Sequence, residues 1–138
     1  MNRHVVRAGT AAAALLLAVA YLGTPAWAQG KWECPAAEKS KKSPVPNSPQ
    51  AVAAGKKLVT DKACTACHGE TGKGDGPGAA ALTPKPANWT SAAVQSESDG
   101  CIFWKISTGR GPMPPWGTTL SETERWQIIQ YLRTLKAK

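Results

Sequence analysis

Two cysteines and a histidine stand within five positions of this chain, at Cys64, Cys67 and His68. Five glycines follow in the next ten residues. Thiols separated by two residues serve as a redox dithiol, as half of a zinc site, or as the attachment point of a covalent group. The choice among these depends on the compartment, on the other ligands the chain offers, and on the reason for the glycines.

The spacing Cys-x-x-Cys-His is the attachment motif of c-type haem. On one turn of backbone, both thiols reach the two vinyl-derived carbons at one porphyrin edge, and the adjacent His68 offers an imidazole nitrogen to the iron. A zinc site would need a fourth ligand from Cys34 or Cys101. A thioredoxin-like dithiol follows a strand in a βαβ unit, and no run here alternates as a strand does. We therefore predict one haem c, bound covalently through Cys64 and Cys67.

The second axial ligand of the iron follows by elimination. The other histidine, His4, and the other methionine, Met1, fall within residues 1–28, which are predicted to be a signal peptide. Met113 stands between Pro112 and Pro114 in "GRGPMPPWG". Methionines that only fill a core belong on apolar helix faces rather than in loops stiffened by proline. We predict Met113 as the distal ligand, which raises the reduction potential and leaves no open iron site.

Three helices must position these side chains. Ser48 as N-cap and Pro49 in the first turn predict a helix over residues 50–63, which leads into the cysteine pair. Ser96 and Asp99 have capping-box spacing and predict a short middle helix. Gly109 can end that helix in a left-handed conformation.

The C-terminal helix gives the clearest pattern. Ser121 and Glu124 have capping-box spacing, and a broad apolar face follows from Trp126 to Leu135. Between the first two helices, residues 69–90 form a long loop rich in glycine and proline. Three helices with few large aliphatic residues bury little apolar surface, so something else must fill the centre of the domain.

The N-terminus indicates export. A positively charged start precedes an apolar run too short to span a bilayer, and a small-residue site ends at Ala28. We predict a signal peptide over residues 1–28, cleaved near Ala28, and a periplasmic location. An uncleaved membrane anchor is the alternative. Residues 29–48, rich in proline, lysine and serine, are predicted to be a tether, and residues 49–138 one domain.

These motifs and their order resemble a class I c-type cytochrome of the small, exported, bacterial monohaem kind. The resemblance covers roughly residues 49–138. It implies an all-α cytochrome c fold, with three to four short helices and long loops around one covalently bound haem. It also implies thioether bonds at Cys64 and Cys67, with His68 as proximal and Met113 as distal iron ligand.

The resemblance adds expectations about the surroundings of the haem. In that family a proline carbonyl downstream of the motif commonly accepts the N–H of the proximal histidine, and Pro77 is placed for this role. The glycine-rich loop is expected to fold against the ring, where side chains would collide. Trp104 is expected to contact the haem. It is one of four tryptophans in segments that face the haem or the helix crossing, the others being Trp89, Trp116 and Trp126; Trp32 falls in the tether.

Two further cysteines are not part of the family core. In an oxidising compartment, Cys34 and Cys101 are predicted to form a disulfide that ties the tether to the middle helix. The alternative is a pair of free thiols, one of which could bond to another protein.

The function that these features predict is electron transfer without catalysis. The chain would carry single electrons between redox protein partners, and its formal net charge of +8 makes acidic partners plausible. The excess charge is too scattered to indicate nucleic-acid binding. Membrane association would require a retained signal segment or a complex. The alternatives are a fixed haem subunit of a larger oxidoreductase, and a haem enzyme or gas sensor with a displaceable Met113.

Overall fold

The computed structural model describes residues 31–137, so the predicted signal peptide lies outside the described residues. Across this range the chain forms helices and loops and no strand. The all-α prediction is confirmed. The helices are α1 (Ala36–Lys39), α2 (Pro49–Asp61), α3 (Thr65–His68), α4 (Ala92–Gln95), α5 (Asp99–Thr108) and α6 (Glu122–Thr134), with a 3-10 turn at Ala79–Ala81.

The first and last long helices begin where their capping residues predict. The Ser48 hydroxyl accepts the Ala51 N–H at 3.1 Å at the start of α2. In α6 the Ser121 hydroxyl accepts the Glu124 N–H at 3.2 Å, and the Glu124 carboxylate accepts the Ser121 N–H at 2.7 Å. This reciprocal pair is a complete capping box.

The start of the middle helix differs from the prediction. The N-cap of α5 is Ser98, whose hydroxyl accepts the Cys101 N–H at 3.3 Å, and not Ser96. Ser96 instead caps the C-terminus of α4, a single turn that the sequence did not indicate. Gly109 ends α5 with φ of 61° and ψ of 172°, so the positive φ expected here is present, with an extended ψ in place of the left-handed helical value.

Helices α2 and α6 cross in close contact. A Cβ atom added at Gly55 would lie 1.9 Å from the Gln127 carbonyl oxygen, so only glycine permits this separation. The core continues from the crossing into α5, where the Phe103 and Trp126 rings stack with centroids 4.3 Å apart. Trp126 and Ile129 are fully buried.

The segment predicted as a tether is packed against the domain from residue 31 onward. It contains α1, and Cys34 forms the predicted disulfide with Cys101 on α5, with Cα atoms 5.4 Å apart. We call residues 31–48 the strap. No helix within residues 31–137 is both long and apolar enough to cross a membrane.

Candidate functional site

A cavity of about 570 Å³ lies between the end of α2, the loop before α4 and the loop after α5. Its lining brings together the four side chains that the sequence analysis singled out for iron and haem attachment: Cys64, Cys67, His68 and Met113. Most other lining residues are apolar, and they include Leu82, Pro84, Pro86, Pro112, Pro114 and Trp116.

A sharp turn between α2 and α3 carries the cysteines to the cavity. Ala63 has φ of 54°, in the left-handed region that residues with a Cβ atom seldom adopt. The turn is held by hydrogen bonds from the Ala63 N–H to the Thr60 carbonyl and from the Cys64 N–H to the Val59 carbonyl, both 2.9 Å long. The single turn of α3 then places Cys64, Cys67 and His68 on the same cavity wall.

Both thiols are half-buried and outside the disulfide. Burial raises the pKa of the Cys64 thiol, and a negative charge on Cys67 would raise it further, while a backbone hydrogen bond opposes the shift. The Cys64 thiol is therefore neutral in the unmodified chain at neutral pH. The two thiols stand at adjacent places on an apolar wall, which suits covalent attachment of an apolar ring.

His68 is buried and fixed in one orientation. Its Nδ1 lies 3.0 Å from the Ala87 carbonyl oxygen, and because a carbonyl can only accept, Nδ1 carries the proton. Its ring also stacks on Trp89, with centroids 4.2 Å apart. Burial lowers the pKa of His68, and the Ala87 contact offsets this only in part. The imidazole is therefore neutral, with Nε2 left as the nitrogen that can bind a metal.

The Met113 loop is anchored to α5. Arg110 and Met113 exchange backbone hydrogen bonds of 2.9 and 3.1 Å, which closes a tight turn around Pro112. The N–H groups of Trp116 and Gly117 donate to the carbonyls of Ile106 and Ser107, each at 3.0 Å. These bonds hold the half-buried Met113 side chain in the cavity wall.

Two residues predicted to contact the haem, Pro77 and Trp104, lie outside the cavity lining. The partner of His68 Nδ1 is the Ala87 carbonyl and not that of Pro77, which is exposed and outside the cavity lining. Trp104 is also outside that lining, because its ring packs on Trp32 with centroids 6.1 Å apart.

Glycines of the loop pack against α3, and a later part of the same loop, from Leu82 to Ala87, lines the cavity. None of the five glycines between residues 69 and 78 lines the cavity. A Cβ atom at Gly76 would lie 2.5 Å from both the Thr65 and Ala66 carbonyl oxygens, so the loop presses on the backbone of α3. The glycines therefore allow close packing behind the attachment turn, whereas the expected packing of the loop on the ring would fall to its later residues.

Sequence reasoning missed two site residues. Trp32 was assigned to the tether, yet it lines the cavity; the predicted disulfide at Cys34, two residues away, was the signal that could have placed it near the domain. Ala87 contributes only its carbonyl oxygen. Since every residue carries a carbonyl, no sequence pattern marks this one.

The donor set of the cavity fits haem c and not a structural zinc ion. Two thiols, one neutral imidazole and one thioether share an apolar cavity of a volume usual for small-molecule sites. The zinc alternative needed Cys34 or Cys101 as a fourth ligand, and both are bonded to each other.

Comparisons with known proteins agree with this chemistry. The family model described as Cytochrome c matches residues 52–136. Among solved structures, a chain of a reducing HAO-like protein complex from Kuenenia stuttgartiensis is similar at 30% sequence identity and a TM-score of 0.63. That alignment covers 69% of this chain and 48% of the other, so this chain spans about half the length of that relative. A comparison with curated proteins found no match.

Proposed function

The chain belongs to the cytochrome c family, and from this premise we propose that it carries single electrons between redox protein partners through one haem c ligated by His68 and Met113. The observation that supports this proposal best is the shared cavity lined by Cys64, Cys67, His68 and Met113. Haem iron supplies reversible one-electron chemistry between its ferric and ferrous states.

The residues around His68 prepare it as a ligand. The Ala87 carbonyl holds the proton on Nδ1 and so keeps the lone pair of Nε2 available to iron. Stacking on Trp89 restricts rotation of the ring. A ligand fixed in one orientation and one tautomer changes little between oxidation states, which favours rapid electron transfer over chemistry at the iron.

Met113 is the proposed distal ligand. Thioether ligation opposite histidine raises the reduction potential. Pro112 and Pro114 flank the residue, and backbone bonds to Arg110 close the turn, so displacement of the sulfur by water or a gas is disfavoured. This supports an electron carrier over a gas sensor or a haem enzyme.

Replacement of Met113 tests the ligation. In the haem-loaded chain, Met113→Ala should abolish the weak far-red band of ferric iron bound to sulfur, lower the reduction potential, and allow carbon monoxide to bind. Met113→His should restore six-coordination at a lower potential. Pro112→Ala is the matched control, because it alters the same turn and keeps the sulfur. A far-red band that survives in Met113→Ala would identify a different ligand.

Attachment through two thioether bonds is tested separately. Mass spectrometry of the denatured chain should show one haem retained after acid–acetone extraction. Single Cys64→Ser and Cys67→Ser variants should each retain one bond. Haem that is fully extracted from the unmodified chain would contradict the proposal.

Three basic residues line the cavity: Lys62, Lys85 and Arg110, which we call the basic rim. Positive charge beside a haem edge favours docking of acidic redox partners, mainly through the association rate. Lys85 also donates to the Ala79 and Ala80 carbonyls, contacts that leave its positive charge in place. The basic rim is therefore the proposed docking surface for acidic partners.

A fixed subunit of an oxidoreductase is the second candidate, because the similar Kuenenia stuttgartiensis chain belongs to a protein complex. Purification from native membranes and periplasm under mild conditions separates the two cases: a free carrier elutes alone, and a subunit elutes with its partners. Export to the periplasm also belongs to the proposal. The Cys34–Cys101 disulfide supports an oxidising compartment, and N-terminal sequencing should find a mature chain that begins near Gln29.

A further inference from the structure

Trp32 separates two cavities of the folded chain. It lines the cavity that holds His68 and Met113, and it also lines an outer cavity of about 710 Å³ beside the disulfide. Among residues 31–137 it is the one side chain common to both linings. The outer cavity carries charged side chains, including Lys31, Glu33 and Lys105, so it is a wet environment next to an apolar one.

The strap that carries Trp32 is fixed to the domain at several points. The Cys34–Cys101 disulfide bonds it to α5 two residues after Trp32. A Cβ atom at Gly100 would lie 2.0 Å from the Glu38 carbonyl oxygen, so the backbone of α1 touches that of α5. Lys41 Nζ lies 4.3 Å from the Phe103 ring centroid. The position of Trp32 is therefore set by covalent and packed contacts.

The indole ring of Trp32 is contacted by one aromatic and two cationic side chains. Its centroid lies 6.1 Å from that of Trp104, and the Lys105 Nζ and the Arg110 guanidinium lie 5.6 and 6.0 Å from it. Cations near an aromatic face are attracted by the ring quadrupole. Half-buried and contacted in this way, the ring fills the gap between the outer cavity and the haem-binding one.

We propose that Trp32, held in place by the Cys34–Cys101 bond, is a positioning residue that keeps water from the iron on the strap side and so raises the reduction potential. This inference rests on the proposed function. Ferric haem carries one more positive charge than ferrous haem, and water stabilises the more highly charged form. Exclusion of water therefore favours the ferrous state, and burial is one of the means by which a protein sets haem potential.

The test is a potentiometric titration of the haem-loaded full chain with Trp32→Ala. The midpoint potential should fall, because water from the outer cavity gains access to the haem cavity. Trp32→Phe should recover most of the original potential, since an aromatic ring again fills the gap. Val45→Ala is the control: it shortens a half-buried apolar side chain of the same strap outside both linings and should shift the potential less.

Two outcomes would overturn the proposal. One is an unchanged potential in Trp32→Ala, and the other is an equal fall in Val45→Ala, which would indicate general loosening of the strap. If Trp32→Ala does not load haem, Trp32→Leu is measured in its place. Its midpoint potential should also fall, by less than full truncation of the side chain would give. An unchanged potential in Trp32→Leu overturns the proposal equally.

The disulfide is tested by the double variant Cys34→Ser with Cys101→Ser. Release of the strap should lower the potential in the same direction and raise tryptophan fluorescence, because Trp32 moves away from the quenching haem. A released strap with an unchanged potential would contradict the role of the bond. Failure of the proposed function is distinguishable, since it would show as an unmodified chain without thioether-bound haem, whatever the Trp32 variants do.

Discussion

The crossing of α2 and α6 makes a sharp prediction at Gly55. In Gly55→Ala the new Cβ atom would stand 1.9 Å from the Gln127 carbonyl oxygen and 3.0 Å from the Ile128 nitrogen, whereas ordinary contact begins at 3.4 Å. Both opposing atoms belong to the backbone of α6, so no change of rotamer relieves the clash. The helices would have to separate by about 1.5 Å at this point.

Two opposing terms set the size of the effect. Overpacking a well-packed contact costs about 1–3 kcal/mol. Alanine is a better helix former than glycine by about 0.8–1 kcal/mol, which offsets part of that cost. We expect the free energy of unfolding to fall by up to about 2 kcal/mol. In a domain of this size each kcal/mol corresponds to roughly 4–8 °C in melting temperature.

Denaturant unfolding of the haem-loaded chain, followed by far-ultraviolet circular dichroism, measures the change. Ala53→Gly is the matched control, because Ala53 is exposed on the same helix and its replacement changes helix propensity alone. This variant should lower the free energy of unfolding by about 1 kcal/mol. If Gly55→Ala instead stabilised the protein by the propensity difference, the two helices would not be in contact at this residue, and the reasoning would be refuted.

Three other predictions concern the disulfide, the α6 cap and the basic rim. Replacing Cys34 and Cys101 together by serine opens a closed loop with a sequence separation of 67, which on the chain-entropy account lowers stability by about 4 kcal/mol, and thermal unfolding without reductant measures this. Ser121→Ala should cost about 1 kcal/mol. Hydrogen bonds from the Ser121 backbone, and secondly from its side chain, lower the pKa of Glu124. The stability that these bonds give is therefore present above the usual glutamate pKa and is lost as the pH falls through the lowered pKa. Glu124→Gln should remove this pH dependence, which melting curves at several pH values measure. Oxidation of the haem by anionic ferricyanide should slow as salt rises, because the Debye length shrinks from about 10 Å at 0.1 M to about 3 Å at 1 M. Oxidation by a cationic reagent should become faster. Rates that do not change with salt would contradict a role for the basic rim in docking.

Local chemistry was predictable from the sequence. Helix starts at Ser48 and Ser121 follow from hydrogen bonds that reach only three residues along the chain, and both are present. The attachment turn is equally local, because the thiols and the imidazole share a few residues of backbone. These features need no knowledge of the tertiary fold.

Contacts between distant segments were not predictable in the same way. Ala87 contacts His68 although 19 residues separate them in sequence. Several glycines with positive φ make the path of the intervening loop possible, but a glycine does not by itself specify which path the loop takes. Trp32 reached the cavity wall because a disulfide spanning 67 residues redirects a segment whose composition resembles a flexible linker. The start of α5 shifted to Ser98 because the unforeseen turn of α4 occupies Ser96.

The cavity also has a consequence for folding. A dry cavity costs about 24 cal/mol per Å³, which for 570 Å³ gives an upper limit of about 14 kcal/mol, similar to the whole stability of a small domain. Water entering the open side reduces this cost but then wets apolar walls at Leu82, Pro86 and Trp116. The chain without haem should therefore lose most of its helix content. Circular dichroism of a Cys64→Ser, Cys67→Ser double variant expressed without added haem measures this. The haem-loaded unmodified chain gives the reference helix content of the folded state. Native helix content with cooperative unfolding in the chain lacking Cys64 and Cys67 would show that the polypeptide supports the cavity alone.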